Sequence, residues 1–225
     1  MNKIVQSFLL GIGSFMFYLI TDQDNKTWRD IQWGDNVTHE EENSNYHFVV
    51  YNSPQVACYM YPCYEGTKNP KLWTAAGEHL TRDEGLRSKF AKLTTVNELP
   101  ITLPTIEQRV TFGILCAMNL VLNPLFREWA LKYLRGEDQT KESAHTVNEK
   151  LIAQLGTTVP REHEYTACCH AVLASVMLDD PALFAANAAH RAYHDSLELA
   201  EPLSLEQTAQ IVKMVSAVDI ANLLG

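Results

Sequence analysis

Short apolar runs separated by turn-forming residues occupy the first hundred positions of the chain. The runs are rich in β-branched and aromatic residues, which is typical of strands in a small sheet. They predict strands over residues 15–21, 31–33, 47–51, 72–76 and 92–96, with a polar turn at residues 22–26. The acidic stretch at residues 39–45 has no apolar periodicity, so we expect it to be a solvated loop.

One helix is predicted within this strand-rich part, over residues 54–61. Ser53 is a favourable capping residue, Pro54 suits the first helical position, and Pro62 marks the end. We expect the sheet to carry this helix on one face.

The pattern changes to a helical period after a proline-rich hinge at residues 99–104. Thr105 and Gln108 have the spacing of a capping box, in which each side chain bonds the backbone of the other residue. The predicted stripe of this helix comprises Ile106, Val110, Gly113, Ala117, Met118 and Val121. Asn123-Pro124 ends it and begins the next helix.

Four more helices follow the one that begins at Pro124, which has Gly136 as its left-handed stop. They begin near Gln139, Pro160, Pro181 and Ser204. Short connections between six amphipathic helices predict an antiparallel bundle, in which the alanines of the fifth helix allow close approach.

The predicted fold class is therefore α+β, with a small strand-rich N-terminal unit followed by an all-helical bundle. The expected divisions are residues 17–103 for the strand-rich unit and 104–225 for the six-helix bundle. Residues 1–16 contain one lysine followed by an apolar run, as signal peptides and membrane anchors do. Polar residues and glycines interrupt that run, so we favour a leader or a misassigned extension over a signal or an anchor.

Composition excludes some classes of function. The formal net charge of -9 is spread over both halves of the sequence, with 9 basic and 12 acidic residues in the first hundred and 9 and 15 in the remainder, which leaves no basic domain for an extended nucleic-acid surface. This mild acidity favours a basic partner. Five cysteines, an odd number, fit a reducing compartment, and we expect a cytoplasmic protein without a membrane span.

From Phe17 to about Ala144 the chain resembles a group of uncharacterised phage and prophage proteins. The motifs that carry the resemblance, in order along the chain, are YLITD (18–22), QWG (32–34), NPKLW (69–73), QRVTFGILCA (108–117) and GED (136–138). The resemblance implies an accessory protein expressed in a bacterial host, and it supplies no catalytic residues.

A weaker resemblance runs from Glu107 to about His194. The order of Trp129, Gly136-Glu137, alanine-rich helices and paired histidines is similar to that of a helical class of bacterial toxin-immunity proteins. It implies a binder of a toxin.

Histidines and cysteines in the fourth and fifth predicted helices are candidate metal ligands. His190 and His194 share a helix face, as do His163 and His170, and Cys168 and Cys169 lie beside them. Nothing in the sequence brings the two faces together, so we favour core cysteines and peripheral histidines, and no metal or cofactor is expected.

An enzyme acting on a nucleotide or nucleic acid is the competing class of function. Aromatic residues of the strand-rich part are candidates to line a base pocket: Tyr18, Trp28, Trp33, Phe48, Tyr51 and Tyr59. The sequence has no glycine-rich phosphate loop, so we interpret these residues as core.

The favoured hypothesis is a non-catalytic interaction protein, encoded by a phage or prophage, that modulates a host or phage protein. We expect its binding groove where the bundle joins the small sheet, near the proline hinge and the start of the Thr105 helix, because grooves between domains are common recognition sites. Aromatic anchors would carry most of the binding energy of such an interface. Trp73 is the first candidate anchor, with Trp33 and Trp129 as others.

Overall fold

A computed structural model describes most of the chain between residues 16 and 196. The described ranges are 16–41, 47–61, 69–83, 87–120, 123–155, 162–176 and 181–196. The predicted C-terminal helix that begins at Ser204 and almost all of the predicted leader lie outside them.

A small antiparallel sheet forms the strand-rich part. Its strands are β1 (Phe17–Thr21), β4 (Thr38–Glu40), β5 (Phe48–Tyr51), β6 (Lys71–Asp83) and β7 (Arg87–Leu99), and β2 (Lys26–Thr27) pairs separately with β3 (Ile31–Gln32). β6 pairs with β7, β7 with β5, β5 with β1, and β1 with β6. The sheet therefore closes on itself, and β4 extends it along β7.

Apolar side chains from these strands fill the inside of the closed sheet. The core cluster comprises Leu19, Trp33, Phe48, Val50, Trp73, Ala75, Phe90 and Leu93. A β-carbon at Gly77 would lie 2.5 Å from the Phe90 ring, so the absence of a side chain on β6 makes room for that ring. Phe17 packs edge-on against the same ring, with the centroids 4.8 Å apart.

The predicted strands are present, but two of them are much longer than the sequence indicated. The strands expected over 72–76 and 92–96 lie within β6 and β7, each of which has 13 residues. Glu78 and Lys92 lie opposite each other on these strands and form an exposed ion pair at 3.0 Å. Cross-strand pairs of polar residues such as these stabilise the outer part of the hairpin, where the sequence has no apolar alternation to indicate a strand.

The prediction of a loop over residues 39–45 is wrong at its start. His39 and Glu40 belong to β4, an edge strand that pairs with Leu93 and Lys92 of β7. Charged and polar residues are usual on edge strands. Because β4 consists of such residues, its sequence lacks the alternation of apolar and polar positions on which a strand prediction depends. Residues 42–46 lie outside the described part.

Clustering of contacts divides the chain into two compact units. The strand unit comprises Met1–Pro54, Lys68–Asp83 and Arg87–Ile101, and the helical unit comprises Gln55–Thr67, Glu84–Leu86 and Thr102–Gly225. The predicted helix over 54–61 exists as α1 (Pro54–Met60), but almost all of it belongs to the helical unit, whereas the sequence placed it on the sheet.

Five longer helices follow, each close to its predicted start. They are α2 (Ile106–Leu120), α3 (Pro124–Leu134), α4 (Lys141–Leu155), α5 (Glu162–Ala174) and α6 (Pro181–Ser196). Asn123 caps α3, since its Oδ1 accepts from the N–H of Phe126 at 3.2 Å, and Gly136 follows α3 in the left-handed conformation with φ 70°. The chain is thus mixed α/β, while the six-helix antiparallel bundle stays a prediction.

The helices pack through small residues and one buried arginine. At Gly113 of α2 a β-carbon would lie 2.9 Å from the Cα of Ala185, so α6 crosses α2 with backbone close to backbone. Arg109 of α2 is buried and donates to the carbonyl oxygens of Tyr59 and Tyr61, at the end of α1. None of the helices in the described part is both long and apolar enough to cross a membrane.

Candidate interaction site

The three tryptophans predicted as binding anchors are all buried. Trp73 is 3% exposed, and its indole Nε1 donates to the hydroxyl of Thr21 at 3.1 Å. Trp33 donates to the hydroxyl of Thr27 at 2.8 Å and packs edge-on against Phe48. The premise that Trp73 is an exposed aromatic is therefore wrong, because its side chain completes the core of a small sheet.

Trp129 lies in the helical unit, where α3 buries one face. Its ring packs between Phe126 and Tyr133, with centroids 6.0 and 5.4 Å away. Within the described part of the chain its buried Nε1 has no hydrogen-bond partner. Such a group costs stability, whereas the contacts of the three aromatic rings with one another contribute to it.

The aromatics considered for a base pocket belong to different units. Trp33 and Phe48 pack in the sheet core, whereas Tyr59 packs in the helical unit against Phe112, with ring centroids 4.8 Å apart. Tyr18 and Tyr51 are paired in register between β1 and β5. The side chain of Trp28 lies outside the described residues.

The candidate metal ligands are only partly described. His170 packs against Phe184 of α6, with ring centroids 5.9 Å apart, and His190 is half-buried on the same helix as Phe184. The side chains of His163 and His194 lie outside the described part. Among the residues whose side chains are described, no three His, Cys, Asp or Glu groups converge as metal ligands do.

The buried cysteines have the environment of packing residues. Cys58, Cys116, Cys168 and Cys169 are buried free thiols. Burial raises the pKa of Cys169 to about 11. Burial also raises the pKa of Cys58, although the positive charge of Arg109 acts to lower it. A thiol with a raised pKa is a poor nucleophile at neutral pH.

Exposed apolar side chains occur together at the start of α2. Leu103 is 41% exposed and Ile106 is 59% exposed, three positions apart on either side of Pro104 and Thr105. We call Leu103 and Ile106 the α2 apolar pair. The other large exposed apolar residues of the described part, Met16, Leu80 and Ile152, stand singly in sequence.

Local bonds hold the α2 apolar pair in place. The capping box predicted from the sequence is present: Gln108 Oε1 accepts from the N–H of Thr105 at 2.8 Å, and Thr105 Oγ1 accepts from the N–H of Gln108 at 3.2 Å. Pro104 fixes the backbone just before the cap, and Arg109 anchors the next turn in the interior. The pair is therefore displayed on a preorganised helix start.

The sequence pattern assigned Ile106 to the buried stripe of α2, and this assignment is wrong. Val110, Gly113 and Ala117 of the same stripe are buried as expected. Ile106 is the first residue of the helix, and its side chain is 59% exposed. Helical periodicity alone cannot distinguish the exposed position from the buried ones. A stripe residue at the end of a helix, beside a proline-rich segment, is nevertheless a candidate for exposure.

Glu107 gives this surface a negative charge. Its side chain is exposed between Ile106 and the capping residue Gln108, and no cation in the described part lies within ion-pair distance of it. The pKa of Tyr133 is raised, first by burial and then by the charge of Glu107. The end of α3 therefore lies within electrostatic reach of the α2 start.

The chain matches no protein-family model, no curated protein sequence and no solved structure.

Proposed function

We propose that this protein works by binding another protein through the α2 apolar pair. The carrying observation is that Leu103 and Ile106 are exposed at the start of α2, while Trp33, Trp73 and Trp129 are used for packing. Apolar side chains exposed next to one another are a feature of interaction sites, whereas single exposed apolar residues do not carry the same meaning.

Preorganisation supports a binding role for these residues. Binding becomes less favourable when flexible side chains or loops have to be ordered at the interface. The capping box and Pro104 have already fixed the backbone that carries Leu103 and Ile106. A partner that covers the pair therefore gains apolar burial, at about 1.5–3 kcal/mol for each fully buried side chain, with little further ordering of this chain.

The partner class follows from the resemblance to phage and prophage proteins, which makes a host protein the first partner to look for. In this proposal the protein modulates that partner by occupying its surface. The proposal requires no group of this chain to act as nucleophile, base or metal ligand.

The test is an affinity capture from bacterial lysate with three forms of the full chain. These are the wild type, the double variant Leu103→Ser with Ile106→Ser, and a matched control, Ile152→Ser, which removes an isoleucine that is 53% exposed on α4. We expect a stoichiometric protein, identified by mass spectrometry, with the wild type and the control. The double variant is expected to lose it, with Kd weakened about 10- to 100-fold.

Urea unfolding of all three forms is the control for folding, since exposed residues contribute little to stability. Retention of the partner by the double variant would contradict the assigned surface. Turnover of a nucleotide panel by the purified wild type, lost in no variant of the apolar pair, would favour the enzyme class instead.

A further inference from the structure

We infer that the partner surface for the α2 apolar pair is basic, with apolar side chains flanked by lysine or arginine. This inference rests on the proposed function and deepens it. It comes from the division of charge between the two units, together with the position of Glu107 beside the pair.

The charge of the chain is concentrated in one unit. The helical unit holds nine basic and seventeen acidic side chains, a net charge of -8, whereas the strand unit holds nine basic and ten acidic ones, a net charge of -1. Residues 1–100 and 101–225 carry net charges of -3 and -6, and the division by units is sharper because the segments Gln55–Thr67 and Glu84–Leu86 each bring a carboxylate to the helical unit. The α2 apolar pair lies within the acidic unit.

Two cations on either side of Tyr133, the residue whose pKa Glu107 helps to raise, are already engaged. On α3, Lys132 pairs with Glu128 at 2.8 Å, and Arg135 lies 3.8 Å from Glu137 just after the helix. The carboxylate of Glu107 has no such partner within the described residues, and it is exposed directly beside Ile106. A lysine or arginine of a partner can therefore pair with Glu107 while a neighbouring apolar side chain covers Ile106.

The unit charge and the local charge act at different ranges. A net charge of -8 steers a cationic surface during approach, over about one Debye length of 8–10 Å at physiological salt. Glu107 then acts at contact, where a partly covered rim charge changes affinity modestly and sets orientation. An acidic partner would be repelled by the net charge of the unit during approach and by Glu107 at contact.

The experiment uses two synthetic helical peptides as probes. Both carry the same leucine positions; one has lysine and the other has glutamate at every charged position. Fluorescence anisotropy measures their binding to the full-length wild type, Glu107→Lys, Ile106→Ser and Ile152→Ser. We expect the lysine peptide to bind the wild type and Ile152→Ser, and to bind about three- to fivefold more weakly to Glu107→Lys.

We also expect Ile106→Ser to weaken the lysine peptide, the glutamate peptide not to bind, and 0.5 M salt to reduce binding of the lysine peptide. Three outcomes overturn the basic-partner inference: no binding of the lysine peptide, equal binding of the glutamate peptide, or equal binding of the lysine peptide to all four proteins. If Ile106→Ser weakens binding and Glu107→Lys does not, the inference fails and the proposed function stands. If the lysate partner also survives loss of the apolar pair, both fail.

Discussion

Replacement of Gly113 by alanine tests the closest helix crossing in the chain. The added β-carbon would lie 2.9 Å from both the Cα and the carbonyl oxygen of Ala185, and 3.3 Å from its carbonyl carbon. These are backbone atoms of α6, so no side-chain rotation relieves the overlap. The two helices must therefore move apart, and the buried alanines at the crossing lose packing contacts.

Two opposing effects set the magnitude. Alanine is favoured over glycine inside a helix by about 1 kcal/mol. Overpacking of a well-packed interior costs about 1–3 kcal/mol, and backbone overlap belongs at the upper end of that range. We therefore expect Gly113→Ala to lower the free energy of unfolding by about 2 kcal/mol, which corresponds to about 6 °C in Tm for a unit of this size.

The assay is urea unfolding followed by far-UV circular dichroism at 222 nm, because the long helices all lie in the helical unit. The matched control compares Glu149→Gly with Glu149→Ala at an exposed site inside α4, where only helix propensity acts. There the alanine form should be the more stable by about 1 kcal/mol. A Gly113→Ala protein as stable as the wild type, or more stable, would refute the close crossing.

Three further outcomes are expected. Gly77→Ala should destabilise the strand unit, because its β-carbon would lie 2.5 Å from the Phe90 ring; near-UV circular dichroism during unfolding measures this, and unchanged stability would contradict the packing. In a Cys63→Ser background the four buried thiols should react with Ellman's reagent at pH 8 only at the rate of unfolding, and rapid reaction without denaturant would show that they are accessible. Burial and the charge of Arg191 lower the pKa of His170, so the unfolded chain takes up its proton at higher pH than the folded one. Stability should fall as pH drops through about 6.5, and His170→Leu should flatten that part of the profile; an unchanged profile would remove His170 as its source.

Local chemistry made the helix starts predictable from the sequence. The capping box of Thr105 and Gln108, the Asn123-Pro124 start and the left-handed Gly136 each depend on residues within four positions of one another. The same reasoning located β1 and β5, because each has a continuous apolar run. These features need no knowledge of the rest of the fold.

Features that depend on distant residues were missed. β6 and β7 continue well beyond their apolar parts because each strand supplies hydrogen bonds to the other, and β4 exists only because β7 is beside it. The burial of Trp73 and the exposure of Ile106 have the same origin: the sheet closes around the first, while the start of α2 leaves the second uncovered. Residue type favoured burial of Ile106, whereas the expectation that Trp73 is exposed came from its proposed place near the hinge groove.

The α2 helix links the packing of the helical unit to the proposed binding surface. Its middle is fixed by the contact of Gly113 with α6, and its second turn by the bonds of Arg109 to α1. Its first turn carries Ile106 and Glu107, and the capping box stops that turn from fraying. A helix held at successive turns presents its end in one geometry, which lowers the ordering cost of association. Affinity for a partner at this surface therefore depends on buried residues that the partner never touches.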